Sequence, residues 1–83
     1  MANTLTKRSF SLAGHRTSVA LEPAFWEALQ AEAGRRDTPL AALVAAVDAE
    51  RTPANSLASS LRVAVLAWSG EYAMAPPIPV INV

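Results

Sequence analysis

The run Arg16-Thr17-Ser18-Val19-Ala20-Leu21-Glu22-Pro23 alternates for six residues and is then stopped by a proline. One face of the alternation carries Arg16, Ser18 and Ala20, the other Thr17, Val19 and Leu21. Period two, with Thr, Val and Leu on one side, reads as a half-buried β-strand. Pro23 cannot continue a ladder but suits the first position of a helix, where its missing N–H would be unpaired anyway. The strand therefore leads into a helix, with Glu22 or Glu27 near its positive end. Phe25, Trp26, Leu29 and Ala33 then fall at helical spacing on one apolar stripe. Gly34-Arg35-Arg36-Asp37 closes this helix, the cations near its C-terminus as the dipole prefers.

Downstream, Thr38-Pro39 reads as a second start, with Thr38 as N-cap and Pro39 as first helical residue. Leu40, Leu43, Val44 and Val47 follow at i, i+3, i+4, i+7, and the helix is expected to reach Glu50 or Arg51. Thr52-Pro53-Ala54-Asn55 is a connector. Asn55 or Ser56 caps a third helix carrying Leu57, Leu61, Val65 and Trp68, expected to stop at Gly70. That helix has apolar residues on nearly every side, more than a small monomer can bury. Upstream, Ser9-Phe10-Ser11-Leu12 also alternates, before Ala13-Gly14 breaks it. A lone strand at 16–21 leaves backbone N–H and C=O groups without a ladder partner. Two solutions are open: residues 9–12 fold back as a hairpin, or the strands of two chains pair antiparallel.

Length and composition point toward a partner. A chain of 83 residues buries only about 60% of its unfolded surface, and small chains need a supplement. The absence of cysteine excludes disulfides and thiolate metal sites, and a single histidine, His15, excludes a clustered-His site. Of the 43 apolar residues 18 are alanine, which adds little buried area each. These facts favour an oligomer without metal or cofactor. Seven basic and seven acidic residues balance, which argues against DNA binding by bulk charge. Their distribution is uneven, however. Residues 1–21 hold Lys7, Arg8 and Arg16 and no acid, and basic N-terminal arms often contact phosphate. Three scattered cations that merely solubilise a tail are the plainer reading of that feature alone. No run of about 18 apolar residues and no signal-peptide core is present, so no membrane span and a cytoplasmic location are expected.

Lys7-Arg8-Ser9-Phe10, Leu12-Ala13-Gly14-His15-Arg16-Thr17-Ser18-Val19, Leu21-Glu22-Pro23, Phe25-Trp26-Glu27-Ala28-Leu29 and Leu57-Ala58-Ser59-Ser60-Leu61-Arg62 together resemble the ribbon-helix-helix (Arc/MetJ-type) family. The likeness is closest to a bacterial branch with an appended third helix, and it spans roughly residues 7–68. It implies a mainly α fold with one short β-strand: an intertwined homodimer with an antiparallel two-stranded ribbon plus a third helix. The domains would be a flexible basic arm at 1–8, the ribbon-helix-helix core at 9–51, the third helix at 52–70 and an extended proline-rich tail at 71–83.

The resemblance also implies a function: a DNA-binding transcriptional regulator, repressor or antitoxin-like, whose ribbon enters the major groove. Arg16, Ser18 and Ala20 would face base edges. Arg can bond guanine bidentately and Ser either kind of edge, whereas Ala20 can only touch a thymine methyl and departs from the usual polar reader. Phosphates would be held by Lys7, Arg8, His15 and the second helix start, through Thr38 and the N–H groups of Leu40 and Ala41. Thr17, Val19, Leu21, Phe25, Trp26, Leu29, Leu43, Val47, Leu61, Val65 and Trp68 would form a core shared by both chains. For His15 a hydrogen bond fixing the loop is the first reading, ahead of a phosphate contact. Glu22, Glu27 and Glu32 stand five apart and do not stack for metal or acid–base work, so no catalytic residue is expected. The alternative is a protein–protein interaction or oligomerisation module with the same fold and no DNA.

Overall fold

The structure is a computed structural model that describes residues 4–73, with side chains through residue 70. Two strands and three helices follow in order: β1 (Thr6–Leu12), β2 (His15–Leu21), α1 (Pro23–Arg35), α2 (Leu40–Glu50) and α3 (Leu57–Ala73). The strands pair antiparallel within the chain, in the register Thr6 to Leu21, Lys7 to Ala20, Arg8 to Val19, Ser9 to Ser18, Phe10 to Thr17, Ser11 to Arg16 and Leu12 to His15.

This corrects the expectation of one short strand. Residues 6–8, expected to be a flexible arm, are the first half of β1, and the hairpin alternative is the one realised. The reason is the two-residue loop. Ala13 (φ 52°) and Gly14 (φ 83°) are both left-handed, as a type I′ turn requires, and that turn matches the strand twist. Gly14 adopts this conformation freely, whereas Ala13 carries a steric cost. With β1 supplying the ladder, one edge of β2 is satisfied without a second chain.

The pleat sorts the hairpin into two faces. Phe10, Leu12, Val19 and Leu21 are buried on the inner face and Thr17 is half-buried there. Residues directly opposite one another share a face, and each core-facing rung pairs one buried apolar residue with a polar one: Leu21 with Thr6, Val19 with Arg8, Phe10 with Thr17 and Leu12 with His15. Below them, α1 contributes Trp26, Leu29 and Ala33, α2 contributes Leu43 and Val44, and α3 contributes Leu57, Leu61 and Val65. Phe25, Val47 and Trp68 are partly buried against this cluster. The residues expected in a two-chain core thus pack together within a single chain. Leu21, Leu29 and Leu61 are fully enclosed, each burial being worth about 1.5–3 kcal/mol.

Local chemistry sets the helix ends. Glu22 is the N-cap of α1, and its carbonyl accepts from Phe25 (2.9 Å) and Trp26 (3.3 Å). The α1 exit is a Schellman motif: Asp37 N–H donates to Gly34 and Thr38 N–H to Ala33, with Asp37 left-handed at φ 54°. That exit moves the second start by one residue. Thr38 makes no cap bond; Pro39 (φ −66°, ψ 149°) is the N-cap and Leu40 the first helical residue. Ser56 caps α3, accepting from Ser59 N–H at 3.0 Å. α3 continues past Gly70 to Ala73, so residues 71–73, expected in the tail, are helical; residues 74–83, where the rest of that expectation falls, lie outside the described residues. No helix among the described residues is long and apolar enough to cross a membrane.

Candidate nucleic-acid interface

The outer face of the hairpin consists of Lys7, Ser9 and Ser11 on β1 and Arg16, Ser18 and Ala20 on β2. It has three rungs, Lys7–Ala20, Ser9–Ser18 and Ser11–Arg16, with no acidic residue on any of them. All six residues are exposed except Ala20, which is half-buried. The Ser9 and Ser18 hydroxyls share a hydrogen bond of 3.0 Å and tie the strands at the middle rung. Residues 9–12 therefore pair with β2 at its edge and leave the face that carries Arg16 open.

The pleat separates the cations that sequence order groups together. Lys7 stands on the outer face, but Arg8 is on the inner one, its guanidinium 5.3 Å from the centroid of the Trp26 ring. Trp26 also donates its Nε1–H to the Thr6 carbonyl (2.7 Å) and lies 5.9 Å from Phe10, so one indole anchors the start of β1. His15 is exposed at the turn on the inner-face register and makes no side-chain hydrogen bond among the described residues, so the expected loop-fixing bond is not formed there. Backbone pairing and the turn geometry hold the loop instead.

Four other cations are also engaged. Glu32, 1% exposed, accepts from Arg35 Nη2 (2.5 Å) and Arg36 Nε (2.7 Å). Arg36 further lies 4.8 Å from the centroid of the Trp68 ring, which joins the end of α1 to α3. The Arg35 hydrogen bond, assisted by Arg36, holds the Glu32 carboxyl below the usual carboxylate range despite burial. Arg51 bonds Asp48 at 3.1 Å. Arg62 bonds Glu22 at 3.0 Å and lies 5.9 Å from the Phe25 ring. Glu22 is likewise held low, first by its own backbone hydrogen bond and then by Arg62. Among the described residues, Lys7 and Arg16 are the two cations with neither an ion pair nor a ring contact, and both stand on the outer face of the ribbon.

At the second helix start some N–H groups are spent within the chain. Thr38 N–H is taken by Ala33, Pro39 has none, and Ala42 and Leu43 N–H donate to Pro39 O. Leu40 and Ala41 remain as the N–H groups that precede the first helical bond. Sequence reasoning missed Ser9 and Ser11 as outer-face residues and Glu32 as a buried hub. Both had a signal: alternation counted back from Leu12, and Glu at i with Arg at i+3 and i+4. Among the described residues no group of three or more His, Asp or Glu side chains could hold a metal.

A hairpin leading into a proline-opened helix, a second helix and an appended third defines a class of strand-and-helix domains. The chain matches the ribbon-helix-helix domain family over residues 5–69 and belongs to that family. Its members are typically non-enzymatic, homodimeric DNA-binding proteins. No curated protein and no solved structure matches the chain.

Proposed function

We propose that this protein is a homodimeric DNA-binding transcriptional regulator, repressor or antitoxin-like, whose hairpin enters the major groove. One observation carries the reading: the two cations without internal partners share the open, acid-free outer face of the ribbon. A two-stranded ribbon fits a groove about 12 Å wide. Arg16 and Ser18 offer hydrogen bonds to base edges, and Ala20 a methyl-sized contact. Phosphate contacts fall to His15 and to the N–H groups of Leu40 and Ala41, with the Thr38 hydroxyl beside them. Arg8 is a weaker candidate, because its guanidinium is engaged by Trp26.

Each chain already has two paired strands, so the dimer brings two hairpins to DNA. The outer side of α2 exposes Ala41, Ala42, Ala45, Ala46 and Ala49, and Glu50 at its end is the one exposed charge on the helix. On α3, Val63 (61% exposed) and Leu66 (65%) are likewise uncovered. These mostly apolar surfaces support self-association, and they equally favour the second reading, an oligomerisation module that binds no DNA. The regulator reading places the protein in the cytoplasm with its DNA.

Selection of bound duplexes from a random pool, followed by titration at about 150 mM salt, separates the readings. The regulator yields an enriched sequence and loses it with Arg16→Ala. A dimer that enriches nothing is the module.

A further inference from the structure

We propose that Lys7 is a base-reading residue and supplies, from β1, the polar group that Ala20 lacks on β2. This rests on the DNA-binding reading above and specifies its chemistry. Taken from sequence, Lys7-Arg8 is one basic arm and both residues fall to phosphate. The register divides them: Lys7 is directly opposite Ala20 on the outer face, and Arg8 is opposite Val19 on the inner face. Side chains on opposite residues of an antiparallel pair have Cβ atoms about 5 Å apart. A lysine stem can therefore lie over the alanine methyl and present its ammonium on the rung where β2 has no donor. Lys7 is exposed and has no ion pair to give up.

The three outer rungs then form a diagonal series: Arg16 at the turn end, the Ser9–Ser18 hydroxyl pair in the middle, and Lys7 at the far end. Arg16 and Lys7 are four residues apart along the ladder, about 13 Å. With one base step per about 3.4 Å, they address positions about four base pairs apart. Both prefer the same ligand chemistry, the O6 and N7 acceptors of guanine in the major groove. The hydroxyl pair between them can accept or donate, and it tolerates either base pair. The binding element of one chain is thus a short duplex segment with a guanine near each end.

The test compares bound sequences and salt dependence for the full chain, Lys7→Ala, and Lys7→Ala combined with Ala20→Lys. Thermal melts confirm that all three fold. The expected result is that Lys7→Ala loses preference at one of two guanine positions by about tenfold or more while the Arg16-dependent position keeps its own. Returning a lysine to the same rung in the double variant restores the lost preference. The assignment is overturned if Lys7→Ala weakens every sequence equally and lowers the salt slope by about one, the signature of a phosphate contact. It is also overturned if Lys7→Ala changes nothing. Failure of the unsubstituted protein to bind any duplex removes the DNA reading and this inference together. Uniform loss with Arg16 dependence intact removes this inference alone.

Discussion

The ribbon and the helical layer handle their surfaces in opposite ways. The hairpin is polar and acid-free outside, and its two outer cations are left without partners. The outer sides of α2 and α3 are mostly alanine, valine and leucine, and the cations near them are tied into the pairs Arg51–Asp48 and Arg62–Glu22. Exposed cations without partners retain their full field for an anionic ligand, whereas paired ones largely cancel. Mostly apolar helix sides suit another protein surface. One small chain thus separates a cationic, acid-free side from a mostly apolar one, and net charge, being zero, shows neither.

The largest expected effect breaks the helical half of this contrast. Leu61→Ala empties a fully enclosed position on α3 and is expected to cost about 2–5 kcal/mol in urea unfolding. Leu66→Ala, on the uncovered side of the same helix, should change stability by less than about 0.5 kcal/mol in dilute protein. If its cost grows with protein concentration, that side is an interface between copies. On the ribbon, Arg16→Ala is expected to weaken specific DNA binding by roughly 10–100-fold, one good base contact, with an unchanged melting temperature. Equal loss of stability would mean that Arg16 is structural.

Acid sharpens the comparison further. Glu32 and Glu22 are held below the usual carboxylate range in the folded chain, Glu32 chiefly by the Arg35 hydrogen bond. Their stabilisation is complete above the unfolded-state value and is lost as pH falls below it, through the folded value. Glu32→Gln should flatten the acid limb of a stability-versus-pH curve; an unchanged limb would assign acid sensitivity elsewhere. A modest effect of opposite sign is expected at the turn. Ala13→Gly relieves a left-handed alanine and should stabilise the chain by several tenths to about 1 kcal/mol, read as a raised thermal midpoint. A lowered midpoint would mean that the turn is not strained.

Much of the fold was legible because period and proline carry it. Pro23 marked α1, the 40–47 spacing marked α2, and the Leu57, Leu61, Val65 series marked the buried side of α3. What was not legible depends on turn geometry. Ala13-Gly14 is an uncommon type I′ pair, so nothing local distinguished a hairpin from a ladder between chains. The pleat then decided the site. Arg16 and Ser18 follow from alternation within β2, but Lys7 joins them and Arg8 leaves only once the register is known. Thr38 reads as a cap from its residue type, yet its N–H is spent on closing α1. Glu32 is invisible to acid-to-acid spacing; its signal is arginine at i+3 and i+4.

The two-residue loop also governs how the protein comes to exist. A ladder whose partners are joined by Ala13-Gly14 forms on the timescale of a single hairpin, about 1–10 μs, at any protein concentration. A ladder assembled from two molecules must wait for their encounter and slows as the protein is diluted. Because the loop is so short, a freshly made chain can form its cationic outer face before it has met another copy.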